Sequence, residues 1–178
     1  KALQKRVDQL RRHLAMVYQR FLDPADSRER HATIELNGVK VDGWDPFCCA
    51  ESELVAQDEV EVETANGNSA AFKVRAFVLP RREEFSTPEA AAESRLGNDM
   101  QGIYIYRENR LLHEADWLGM YQKEPHFSGC RIEFSFGHEL DEALHIDIKK
   151  SQIQLSSEIW EYLKTQFLPP PRRAAEQR

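Results

Sequence analysis

The residues with the most chemical reach sit near the C-terminus, in the stretch IDIKKSQIQL, residues 146 to 155. Lys149 and Lys150 stand side by side between an alternating apolar run and the start of a helix. Each offers a compact ammonium on a flexible stem, suited to reaching an anionic oxygen. Ile146 and Ile148 on one side, and Ile153 and Leu155 on the other, are expected to enter the core and pin the turn at both ends. The pair is either a solvated turn or a cation aimed at a phosphate, and spacing alone leaves both open. Just upstream, HELDEALH, residues 138 to 145, gathers His138, Glu139, Asp141, Glu142 and His145 as conceivable metal ligands. The spacing is not HExxH, in which two imidazoles share a helix face with a base between them. An acidic, capped turn accounts for the same residues, with a small metal site around His138 as the alternative.

Other chemistry finds no footing. The chain has no GxSxG elbow, no GxxxxGK[ST] and no GxGxxG. His13, His31, His113 and His126 are scattered. Cys48, Cys49 and Cys130 form no CxxC, and an odd number leaves one unpaired, so reduced thiols in a cytoplasmic setting are expected. A net charge of -6 argues against a dedicated nucleic-acid-binding domain. The loop holding Trp117, Tyr121 and Phe127 is interleaved with Lys123 alone, which fits core or interface better than base stacking. Charge is nevertheless uneven. Lys1, Lys5, Arg6, Arg11, Arg12 and Arg20 face a single Asp8 in the first 20 residues, whereas Glu51, Glu53, Asp58, Glu59, Glu61 and Glu63 crowd residues 51 to 63. These are two solvated faces or a docking surface for a neighbouring domain. Apolar residues make up 41% and charged residues 30%, as in globular domains, and no run of 18 apolar residues exists to span a membrane. Lys1 and the lack of a signal-peptide pattern lead us to expect a piece of a longer protein.

These side chains must be positioned by elements that the periodicity outlines. Leu3, Val7, Leu10, Leu14, Val17 or Tyr18, and Phe21 recur at helical steps, predicting a helix over residues 3 to 22 that Pro24 ends. Ile34 and Leu36, then Val39 and Val41, flank Asn37-Gly38, a strong hairpin signal. A second hairpin is expected from Val60 and Val62 to Phe72, Val74, Ala76 and Val78, across ANGN at 65 to 68. Residues 80 to 99 read as a loop with one short helix. GIYIYRENRLLHEADWLGM predicts a third hairpin turning at Glu108-Asn109. In CRIEFSF, Ile132, Phe134 and Phe136 are expected inward, with Arg131, Glu133 and Ser135 outward. SSEIWEYLKTQF reads as a helix capped by Ser156 or Ser157, with Ile159, Trp160, Leu163 and Phe167 on its apolar face. PPPRRAAEQR reads as a linker. The order predicts an α+β fold: a mostly antiparallel sheet with helices on one face.

GIYIYRENRLLHEADWLGM, RIEFSFGHELDEALHIDIKKSQIQL and the closing helix resemble the second domain of GHKL ATPases. That superfamily includes DNA gyrase, heat-shock protein ninety, histidine kinases and mismatch-repair ATPases. HLAMVYQRFL, followed by IELNGVKVDGWDPF, looks like the join from an ATPase domain into that second domain. The resemblance covers most of the chain and is weakest between residues 51 and 98. It implies a transducer domain of the ribosomal protein S-five domain 2-like fold at 25–168, preceded by a linking helix at 1–24 and followed by a linker or tail at 169–178. It further implies that one lysine reaches the terminal phosphate of ATP: Lys150 at the matching position, or Lys149. ATP and Mg would be held mainly by an upstream ATPase domain of the same chain, in a protein that is a homodimer when intact. The family's DxGxG and glycine-rich lid are missing here, so residues 1–178 alone are expected to be inactive. A non-catalytic protein–protein interaction domain is the competing expectation.

Overall fold

The computed structural model describes residues 2–64, 67–141 and 155–178. The expected N-terminal helix is present but broken once, into α1 (Ala2–Val17) and α2 (Gln19–Leu22). Tyr18 leaves the helical region at φ -108° and ψ 20°, which rotates α2 and swings Arg20 and Leu22 inward. Asp23 is extended (ψ 112°) ahead of Pro24, as the proline ring requires of its predecessor. The first hairpin joins β1 (Glu35–Leu36) to β2 (Val39–Lys40). Asn37 and Gly38 both take positive φ at its turn, 53° and 73°, the geometry whose twist matches paired strands.

The main sheet has five strands in the order β3-β4-β7-β5-β6. β3 (Glu53–Glu63) and β4 (Ser69–Val78) form the second expected hairpin. β5 (Gly102–Arg107) and β6 (Arg110–Asp116) form the third, turning at Glu108 and Asn109 with φ 48° and 62°. β7 (Cys130–Phe136) is inserted between the hairpins, antiparallel to β4 and parallel to β5. The fold is therefore α+β with a mostly antiparallel sheet. The acidic run of residues 51 to 63 falls largely on β3, an edge strand, where its carboxylates discourage another chain from pairing.

The loop of residues 80 to 99 holds the short helix α3 (Pro88–Glu93). One sheet face carries Val74, Ala76, Ile103, Ile105, Ile132 and Phe134. It is covered by α4 (Ser157–Tyr162), a π-helical turn at Leu163–Phe167 and α5 (Pro169–Glu176). Ser156 caps α4, accepting the Ile159 amide on its hydroxyl. Residues 169–178 are thus not a linker: Pro171 and Ala175 are buried and Arg172 stacks on Phe127 and Tyr121. The three prolines open the helix, where amides have no intrahelical acceptor to lose. The aromatic loop belongs to this core, with Trp117 and Phe127 buried.

The opposite face is also covered. Met16 of α1 and Phe47 pack on Phe77, Tyr104, Tyr106 and Leu111. This corrects the expectation for β7: Arg131 and Glu133 point away from Ile132 and Phe134 yet are 0% and 3% exposed. Strand alternation holds, but a second layer replaces the water. Arg131 donates to the backbone oxygens of Pro46, Ser94 and Arg95, which tie down the loops lying over it.

Candidate functional site

A cleft of about 800 Å³ opens between the N-terminal segment and the end of β7. Its floor is set by register. Glu133 of β7 pairs across the ladder with Arg75 of β4, and Arg75 clamps it with two hydrogen bonds of 3.0 and 2.7 Å. From α2, Arg20 reaches the same carboxylate at 3.1 Å. Its other guanidinium contacts are donations to Asn109 Oδ1 and Ser135 Oγ, both 2.9 Å, and its plane lies 3.7 Å over the Tyr106 ring. Arg28 adds a third approach to Glu133 at 3.4 Å while Asp26 holds its fork. Asn109 in turn donates to Glu29.

The electrostatics follow from this crowding. Burial works against the charged form of Glu133, but hydrogen bonds from Arg75 and the charges of Arg20, Arg75 and Arg28 outweigh it and hold its pKa below the usual glutamate value. Burial depresses the pKa of Arg20, with Glu133 opposing. Arg20 Nε and the Tyr106 hydroxyl are buried and have no hydrogen-bond partner among the described residues.

The cleft is not an anion trap. Arg20, Arg28, Lys73 and Arg75 on its wall face Asp23, Asp26, Asp45, Glu108 and Glu133, so carboxylates outnumber cations. It offers no phosphate cradle for ATP by itself. Cys49 is the thiol on the cleft wall, exposed at its rim, and partial desolvation and neighbouring Asp45 push its pKa up; away from the cleft, burial raises Cys48 to about 11 and Cys130 to about 12. These thiols stay protonated at neutral pH.

Of the candidate metal ligands, the structure brings together His138 and Glu139 and adds Glu108, which sequence reasoning missed. His138 Nδ1 lies 2.7 Å from Glu108 Oε1 and 3.7 Å from Glu139 Oε1, so one nitrogen and two oxygens could hold a divalent cation. All three residues are exposed. Asp141 is committed elsewhere, in a two-point pair with Arg107. Glu142 and His145 lie outside the described residues, as do Lys149 and Lys150 with Ile146, Ile148 and Ile153. The missed residues of the cleft, Arg20, Arg75 and Glu133, had one faint signal: a charged side chain, Arg20, set within the apolar stripe of a helix.

No protein-family model, curated protein or solved structure matches the chain. No described helix is long and apolar enough to cross a membrane.

Proposed function

We propose that this chain is the transducer domain of a GHKL-type ATPase, presenting a lysine to the terminal phosphate of ATP and relaying nucleotide state. One observation carries the reading beyond the sequence resemblance. Residues 19–28, which follow the N-terminal helix, and Phe136-Gly137, where β7 ends, line the same cleft. The chain that leads toward Lys149 and Lys150, described as far as Asp141, therefore leaves the end of the sheet against which the N-terminal arm is held. A lysine serving a nucleotide unit joined through that arm would need this arrangement. Its departure is braced by Arg107, which clamps Asp141.

Lys150, or Lys149 beside it, supplies countercharge where phosphoryl transfer most needs it. Departure of that phosphate removes the contact and frees the domain, which makes the lysine a sensor as well. ATP and Mg are held by a separate unit, in keeping with a cleft whose carboxylates exceed its cations. In this reading the intact protein is a cytoplasmic homodimer. The test is Lys149→Ala/Lys150→Ala in the intact protein. ATP cleavage should fall by about 100-fold or more while nucleotide binding is largely kept. Unimpaired cleavage overturns the proposal.

The second reading, a non-catalytic docking domain, draws on a different observation. Leu3 and Leu10 are 75% and 45% exposed on a helix flanked by Lys5, Arg6 and Arg12. The aromatic loop no longer serves that reading, since Trp117 and Phe127 are core. Wild-type ATP turnover in the lysine variant, with partner capture lost on changing Leu3 and Leu10, would favour it.

A further inference from the structure

The N-terminal arm has two obvious places to bend: the helix break at Tyr18, and the irregular stretch from Asp23 to the first hairpin. Both are bridged to the sheet by the cluster around one carboxylate. Arg20 lies just after the break and is 1% exposed. Its fork spans three elements at once: Glu133 and Ser135 on β7, Asn109 in the β5–β6 turn, and the Tyr106 ring on β5. Arg28, within the second bend, reaches the same Glu133, and Glu29 accepts from Asn109. Bending at the first would strip the buried Arg20 guanidinium from its partners and leave charge uncompensated in the interior, and bending at the second would pull the more exposed Arg28 off Glu133.

We propose that Arg20, docked on Glu133, locks the arm of residues 15–31 to the sheet so that the two move as one body. Arg20 is then a positioning residue for the arm. Its purpose rests on the transducer reading given above. A displacement imposed on the arm is carried through Arg20 into β7 and the Glu108-Asn109 turn. The swivel between this domain and any neighbouring unit must then lie N-terminal to Ala15, where α1 first becomes buried. Arg75 grips the same carboxylate from within the sheet, so it serves as the control: it supports Glu133 but ties no arm.

Amide hydrogen exchange on the chain tests this with Arg20→Met, Asn109→Gly and Arg75→Met. Asn109 already has φ 62°, so glycine there removes the tie without backbone strain, and this variant reads the latch if Arg20→Met fails to fold. We expect exchange in residues 15–31 to quicken about tenfold or more in Arg20→Met and several-fold in Asn109→Gly, with β4, β5 and β7 unchanged. In Arg75→Met the arm should stay protected relative to the sheet. Unchanged arm exchange in the first two variants, or an equal rise in arm and strands, overturns the latch. In the intact protein, Arg20→Met should lower kcat for ATP with KM little changed, and wild-type kcat with a freed arm would overturn the coupling. Should Lys149→Ala/Lys150→Ala cleave ATP normally, the transducer reading fails, while the exchange pattern still decides the latch.

Discussion

At the level of single residues, Glu133 shows how burial and charge trade against each other. Its side chain is nearly sealed, and three guanidiniums converge on it. Removing one member of a buried ion cluster leaves the others uncompensated, so Glu133→Ala should cost about 3–5 kcal/mol in urea unfolding. The pH dependence has a definite sign. The folded pKa of Glu133 is lowered relative to the unfolded value of about 4.3, so its stabilisation is present above that pH and is lost as pH falls through the folded pKa. The stability gap between wild type and Glu133→Gln should therefore be full at neutral pH and close on acidification below about pH 4.3. A gap that does not narrow at all as pH falls below about 4.3 would contradict the assignment. None of this was legible in CRIEFSF. Alternation correctly sends Arg131 and Glu133 to the face opposite Ile132 and Phe134, but a strand pattern does not reveal what covers the second face. Here α1 and Phe47 cover it, and they are distant in sequence.

Among the elements, the hairpins were the readable part, because their turns depend on local backbone chemistry. Asn37-Gly38 and Glu108-Asn109 both adopt the positive φ expected of such turns. Two glycines separate local freedom from tertiary contact. Gly38 has φ 73° and open space around a built Cβ, so Gly38→Ala should cost only about 1 kcal/mol, the left-handed penalty. Gly102 has φ 121° and lies at the bulged start of β5, where a Cβ would sit 2.8 Å from the Asp116 amide nitrogen. Gly102→Ala must push β5 and β6 apart and should lower Tm several times more than Gly38→Ala. Equal effects would contradict a tertiary cost at Gly102. The C-terminal helix was hidden for the reverse reason. PPPRRAAEQR has linker composition, and what makes it a helix is packing: Pro171 and Ala175 are buried, and Arg172 lies 3.7 Å over the Phe127 ring. Deleting residues 169–178 should therefore destabilise the chain by about 2–4 kcal/mol, by lost apolar burial and stacking. A linker would leave the thermal melt where it was.

For the molecule as a whole, the two sheet faces are filled unequally along the N-terminal helix. Leu3, Val7, Leu10, Leu14 and Val17 recur at alternating intervals of four and three, a single apolar seam. The fold uses only its C-terminal end: Val17 is buried and Leu14 partly so, whereas Leu3 and Leu10 are 75% and 45% exposed. The seam was legible in the sequence. How far along it the packing extends was not, because periodicity reports which face is apolar and says nothing about what lies against it. A self-pairing parallel coil is disfavoured by its flanks, since Arg6 and Arg11 would meet across the seam. Under the transducer reading the first turns of α1 pack against the nucleotide-binding unit instead. Leu3→Ser/Leu10→Ser should then shift the stability of residues 1–178 by no more than about 0.5 kcal/mol per site, as for other exposed positions. The same pair should destabilise the intact protein by about 1–3 kcal/mol per site, the cost of losing buried leucine surface. Thermal unfolding of both lengths decides it: a double variant equally silent in each would leave the upper half of α1 solvated and detach this domain from the unit it is proposed to serve.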